Sequence, residues 1–181
     1  MKTDKDFSND DAFVVSQYGK EKEYWLDKLS GELVKTFFPF DYAGQKAKKD
    51  TVTVPYKSLQ IPFPEELSAA LIKVGGKDHR IHMVLLAAVS LLLERYTGNK
   101  DIILGMPIYK QEREGKFVNT ALAVRRQFNG DETFKELLLN FRKTVMEAIE
   151  HQNYPLDILA YQLNLESTDG ASPLFDVVVL L

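Results

Sequence analysis

The stretch Gly115-Lys116-Phe117-Val118-Asn119-Thr120-Ala121-Leu122-Ala123-Val124-Arg125-Arg126 decides how the rest of the chain is read. A glycine opens it, and apolar positions that include Phe117, Leu122 and Val124 give the alternation of a β-strand. In the middle sits the polar pair Asn119-Thr120, which a buried strand normally avoids. Either these side chains reach water in a channel or they hydrogen-bond inside the core. An amide buried without a partner costs about 1–3 kcal/mol, so something must satisfy Asn119.

Working outward from that strand, Asp101-Ile102-Ile103-Leu104-Gly105 is a continuous apolar run, the pattern of a strand covered on both faces. Before it, Ile81 to Tyr96 is hydrophobic nearly all round until Glu94, which predicts a helix in the centre of the fold. Pro64-Glu65-Glu66-Leu67 opens an earlier helix, with a proline and two acids in its first turn. Its Leu67, Ala70, Leu71 and Val74 share one face, and Gly75-Gly76 closes it. Thr51 to Val54 and Ser58 to Ile61 alternate with period two and read as strand, interrupted at Pro55. Tyr18 to Leu29 is helical in character, with Tyr24, Trp25 and Leu29 towards the core, and Ser30-Gly31 ends it. The segment 33–50, with Pro39, Gly44 and lysines at 46, 48 and 49, reads as a solvated loop.

Downstream, Asn129-Gly130-Asp131 turns the chain into a helix. Its Phe134, Leu137, Leu138, Phe141, Val145, Ala148 and Ile149 recur at three and four. Pro155 starts a short helix, Leu156 to Leu163, and Pro173 to Leu181 reads as a last strand. The expectation is an α/β fold, a mixed sheet flanked by helices. Residues 18–181 form one unit behind a flexible lead, 1–17, whose Asp4, Asp6, Asp10 and Asp11 leave little to bury.

A chain of 181 residues with 45% hydrophobic content can bury one sizeable core. Its net charge of −3, from 23 basic and 26 acidic residues with no basic stripe, argues against a nucleic-acid partner. With no cysteine, disulfide and thiolate chemistry are excluded, which fits a cytoplasmic location. Met1 to Asp11 lacks the apolar core of a signal peptide. Met83 to Leu93 is too short to span a bilayer, so no membrane contact is expected.

The search for a general base starts from three histidines. His79 and His82 lie three apart and read as partly exposed residues at a helix start; without a third ligand nearby, no metal is expected. His151 follows the long helix, where an imidazolium would meet the negative end of the dipole. No Gly-x-Ser-x-Gly is present, and Gly75-Gly76 ends a helix where a phosphate loop would open one. The carboxylates are scattered, without a pair in an apolar setting.

Four stretches, in the family's order, resemble condensation domains of nonribosomal peptide synthetases. Gly115-x-Phe117-Val118-Asn119-Thr120 resembles their fifth core motif. Tyr24-Trp25 with Leu29-Ser30-Gly31 resembles the Tyr-Trp…Leu-x-Gly that begins the second half of the domain. Leu85-Leu86-Ala87-Ala88 through Arg95-Tyr96-Thr97-Gly98, then Asp101 to Gly105, resembles the helix-then-strand signature. His151-Gln152-Asn153-Tyr154-Pro155-Leu156-Asp157 resembles His-Gln-Asp-x-Pro-Phe-Glu. The resemblance covers about residues 20–181 and implies one lobe, the C-terminal one, of a two-lobed chloramphenicol acetyltransferase-like fold, cut short.

In that family an acyl group on one phosphopantetheine arm meets an amine on another in a tunnel between the lobes. The resemblance implies peptidyl carrier proteins and the missing N-terminal lobe as partners. It implies no cofactor bound directly, the phosphopantetheine arriving on the carriers. The family's His-His-x-x-x-Asp-Gly does not occur here, so no catalytic residue is expected and the chain alone is expected to be inactive. Gly115, Asn119 and Thr120 would line or support the tunnel or the lobe interface, while Tyr24, Trp25, His151, Gln152 and Pro155 would be structural.

Departures leave the condensation subtype open. Pro107-Ile108-Tyr109-Lys110-Gln111 stands where Pro-x-x-Gly-Arg is common, and Ser167 to Leu174 lacks both arginines of Arg-Asp-x-Ser-Arg-x-Pro-Leu. The arginine after the Asn-Thr pair is Arg125, about one place late. The alternative reading is a non-catalytic interaction module that keeps the lobe's shape for docking. A homodimer through the apolar Val177 to Leu181 is a further expectation.

Overall fold

Two seven-residue strands carry the sheet, β1 (Asp101–Pro107) and β2 (Ala121–Gln127). They run antiparallel with Asp101 opposite Gln127, Leu104 opposite Val124 and Pro107 opposite Ala121. The computed structural model describes residues 19–34, 36, 38, 58–76, 78–108, 119, 121–165 and 172–181. Around the strands lie helices α1 (Gly19–Lys28), α2 (Glu65–Gly75), α3 (Asp78–Thr97), α4 (Phe134–Glu150) and α5 (Leu156–Gln162). Helix α3 packs on β1 and α4 on β2, while α1 meets α5. No described helix is long and apolar enough to cross a membrane.

The continuous apolar run of β1 is explained by burial of Ile102 through Met106, on both faces of the strand. On its free side β1 accepts the terminal segment in parallel. The Gly105 N–H donates to the Val177 carbonyl at 2.8 Å, and the Val179 N–H donates to the Gly105 carbonyl at 2.9 Å. The sheet is therefore mixed. Gly105 is required by close approach, because a Cβ there would lie 2.5 Å from the Phe175 ring and 2.8 Å from Val178. The expected strand from Pro173 to Leu181 is reduced to this bridge, and Leu180 and Leu181 stay exposed.

Two helix ends show a local cause. Gly76 caps α2 in the left-handed region (φ 61°), its N–H donating to the Ile72 carbonyl. A capping box starts α4. The Glu136 N–H donates to Thr133 Oγ1 at 3.3 Å, and the Thr133 N–H to Glu136 Oε2 at 2.8 Å. The capped helix then buries Leu137, Phe141, Thr144, Val145 and Ala148 along one stripe, as its spacing predicts, whereas Phe134 is exposed in the first turn.

Two expectations, all-round burial of α3 and a strand at 58–61, are corrected. Helix α3 packs against α2, α4 and β1 but is buried on one face only: His82, Leu86, Ala87, Ser90 and Leu93 form its buried stripe, while Ala88 and Leu92 face solvent. Hydrophobicity on every side therefore does not mean burial on every side. Helix α2 turns Leu67 and Val74 outwards and buries only Gly75, whose missing Cβ makes room for Ile81. Ser58 to Ile61 is not a strand, and Leu59 and Ile61 are 84% and 70% exposed. Alternation yields a strand only where a neighbouring backbone offers pairing, and no described residue does so there. The other proposed strand, 51–54, and the lead, 1–17, lie outside the described residues.

Candidate functional site

Three motifs far apart in sequence meet at the turn between α4 and α5. At its centre Asn119, buried with 7% exposure, uses its whole amide. Nδ2 donates to the Gln152 carbonyl at 2.9 Å and the Tyr154 carbonyl at 2.7 Å, and Oδ1 accepts from the Leu156 N–H at 2.9 Å. Of the two alternatives for this residue, the core-satisfied one holds. The amide pins the turn that leads into α5, and an uncapped N–H at the first residue of that helix is satisfied in the process. Pro155, with φ −66°, lies immediately before that helix and accepts the Leu159 N–H at 3.1 Å.

Helix α1 holds the same turn from another side. Trp25, fully buried, donates its indole N–H to the His151 carbonyl at 2.8 Å. The Tyr24 ring stacks on the His151 imidazole, centroids 4.0 Å apart and planes within 9°. His151 Nδ1 lies 2.8 Å from the Glu147 carbonyl in the last turn of α4. An ion pair at 3.2 Å between Lys28 and Glu147 adds a more exposed tie. Burial, with Glu147 and Glu150 nearby, holds the Tyr24 phenol well above its ordinary pKa, and its hydroxyl has no hydrogen-bond partner among the described residues. Tyr154 is also buried and raised, an effect opposed by its 3.2 Å hydrogen bond to Gln162.

The structure thus brings together Tyr24, Trp25, Asn119, His151, Gln152 and Pro155. Gly115 and Thr120 lie outside the described residues. His79 is exposed on α3, whereas His82, expected to be partly exposed, is fully buried with Nε2 2.8 Å from the Val179 carbonyl. Among the described residues no three histidine or carboxylate side chains gather as metal ligands.

Sequence reasoning passed over one buried hub. Arg125, 8% exposed, sends Nε to Asp101 at 2.9 and 3.1 Å and Nη2 to the same carboxylate at 2.5 Å. Its Nη1 donates to the Ser30 carbonyl at 2.6 Å and the Lys28 carbonyl at 3.3 Å. The guanidinium therefore ties the exit of α1 to the start of β1. Burial pushes the Asp101 pKa up, but hydrogen bonds from Arg125 and Gln127 and the Arg125 charge outweigh it, leaving the carboxyl below its ordinary value. The register of the two strands, which the structure supplies, sets Asp101 opposite Gln127 and so puts Arg125 on a diagonal to that acid.

A mixed α/β sheet flanked by helices, with a hydrogen-bonded turn joining α1, the start of β2 and α5, defines one lobe of a chloramphenicol acetyltransferase-like fold. Among solved structures, the X-domain of teicoplanin biosynthesis in complex with OxyB matches with TM-score 0.68 at 20% identity, over 93% of this chain and 39% of that one. The condensation domain of the Monacolin K polyketide synthase MokA matches with TM-score 0.60 at 19% identity, over 93% and 42%. The condensation-domain family model matches residues 5–181, and the chain belongs to that family.

Its relatives are peptide synthetases. Bacitracin synthase 3 of Bacillus licheniformis is 34% identical over 98% of this chain, and tyrocidine synthase 3 of Brevibacillus parabrevis 32% identical over 98%. Gramicidin S synthase 2 of Brevibacillus brevis is 32% identical over 90%. The chain spans only 3% of the first two relatives and 4% of the third.

Proposed function

We propose that these residues supply the C-terminal-lobe part of a condensation domain that joins carrier-bound aminoacyl or peptidyl thioesters through an amide bond. Phosphopantetheine would arrive on peptidyl carrier proteins and not be held by this chain, in a cytoplasmic setting. The observation that carries the reading is the fixed turn at 151–156, in which three family motifs converge on one hydrogen-bonded frame. Such a frame positions and does not react. His151 is engaged with the Glu147 carbonyl and the Tyr24 ring, and His82 with the Val179 carbonyl. The proton transfer accompanying amine attack is therefore assigned to the His-His-x-x-x-Asp-Gly lobe, and this chain contributes rigidity to a shared tunnel. Asn119 supports that tunnel from behind by holding the turn.

The test supplies loaded donor and acceptor carriers to the 181-residue chain and follows dipeptidyl product by mass spectrometry. No product above a protein-free control is expected, with activity returning when the histidine-bearing lobe is added in trans. Product from this chain alone, lost on replacing His79, His82 or His151, would overturn the assignment. The alternative, a docking module without catalysis, draws on the X-domain relative whose solved complex holds OxyB. Failure of the added lobe to restore activity, with stable binding between the two pieces, would favour it.

A further inference from the structure

On the opposite side of α4 from its buried stripe, a groove of about 490 Å³ lies between that helix, the end of α2 and the first turns of α3. Its walls are apolar, and three of them are open to solvent: Val74 is 66% exposed, Leu139 53% and Met146 48%. Single exposed apolar side chains are ordinary, but a contiguous set facing one groove marks a contact surface. Met83 and Met146 give it unbranched, adaptable side chains of the kind found at helix-binding surfaces.

Among the described residues that line it, the charged ones have one sign: Arg80 and Arg142 are exposed there beside His79, and no carboxylate is among them. Neither arginine forms an ion pair with a described residue. In a chain whose net charge is −3, this local concentration of cations runs against the overall balance. An apolar furrow bordered by helices is the kind of surface on which an amphipathic helix docks, its side-chain ridge laid in the groove.

We propose that the groove seats an amphipathic helix of a separate protein, with an apolar stripe entering between α2, α3 and α4 and glutamates or aspartates on its flanks meeting Arg80 and Arg142. An anionic membrane fits less well, because the cations flank a recess instead of crowning a convex face and the whole chain is acidic. The inference stands apart from the condensation reading: the groove shares no residue with the cluster around Asn119.

The test uses the whole chain and a fluorescein-labelled peptide with leucines at i, i+3, i+4 and i+7 flanked by glutamates. One control carries lysines in place of the glutamates, and a second scrambles the acidic sequence. Saturable anisotropy is expected with the acidic peptide alone, weakened by added salt and about tenfold or more by Arg80→Glu or Arg142→Glu. Both substitutions fall on exposed side chains, and circular dichroism matching the parent chain confirms that they fold. Leu139→Asp provides a charge-independent check on the apolar wall. Equal binding of the scrambled peptide, no binding of any peptide, or affinity unchanged in folded charge-reversed variants would each overturn the proposal. So would sedimentation showing a dimer lost in Arg142→Glu, or capture on phosphatidylserine vesicles without peptide binding.

Discussion

Replacing Asn119 by alanine removes a side chain that makes three hydrogen bonds from a nearly dry position. Alanine leaves the Gln152 and Tyr154 carbonyls without the Nδ2 donor and the Leu156 N–H without its acceptor. At about 1 kcal/mol net for each bond the loss is roughly 3 kcal/mol. The N–H at the start of α5 lies in a half-buried turn where water can replace Oδ1, which lowers the expected value to about 2–3 kcal/mol. Urea titration followed by circular dichroism should show the midpoint falling with the slope unchanged, since the surface exposed on unfolding hardly differs. Asn119→Asp sharpens the test. It keeps an acceptor for Leu156 but turns a carboxylate onto two carbonyls, so it should destabilise more than alanine does. A loss below about 0.5 kcal/mol for Asn119→Ala, the range of ordinary surface changes, would refute the reasoning.

Other outcomes follow from the same geometry. Asp101 has a depressed pKa in the folded chain, so it contributes stability above the ordinary carboxylate range that is lost as pH falls through the folded value. Acid titration of Asp101→Asn should therefore show a shallower fall in stability than the parent; an unchanged acid limb would count against the Arg125 pairing. Gly105→Ala forces a methyl to within 2.5 Å of the Phe175 ring and should cost about 1–3 kcal/mol by thermal unfolding. Parent-like melting would mean that the terminal segment does not pack on β1. Val178, Leu180 and Leu181 are exposed beside that bridge, so light scattering should detect self-association that Leu180→Lys reduces; a monomer at every concentration would dismiss the homodimer.

What the sequence disclosed, and what it withheld, divide along a physical line. Elements whose signal is local were readable. Gly76 ends α2 because the chain needs a left-handed residue there, and the apolar run from Ile102 marks β1 because both of its faces are covered. The residues of the four motifs, together with their order, also gave the family. Facts that depend on a distant partner were not readable. Leu59 and Ile61 alternate as a strand does yet lie exposed, because alternation says nothing of whether a second backbone is at hand. His82 looked like a half-exposed helix-entry residue, and the return of Val179, 97 positions later, places a carbonyl 2.8 Å from its buried Nε2.

Asn119 shows where the two kinds of information meet. Its polarity within an apolar stretch announced that it must have partners, but not that they are the backbone of residues 152–156. Trp25 and Tyr24 converge on the same turn, so motifs 126 positions apart restrain one piece of backbone. Motifs spaced this far apart need not share chemistry; they can share a structural load. In this lobe the Tyr-Trp, Asn and His-Gln-x-x-Pro stretches each supply one side of a frame that fixes the start of α5.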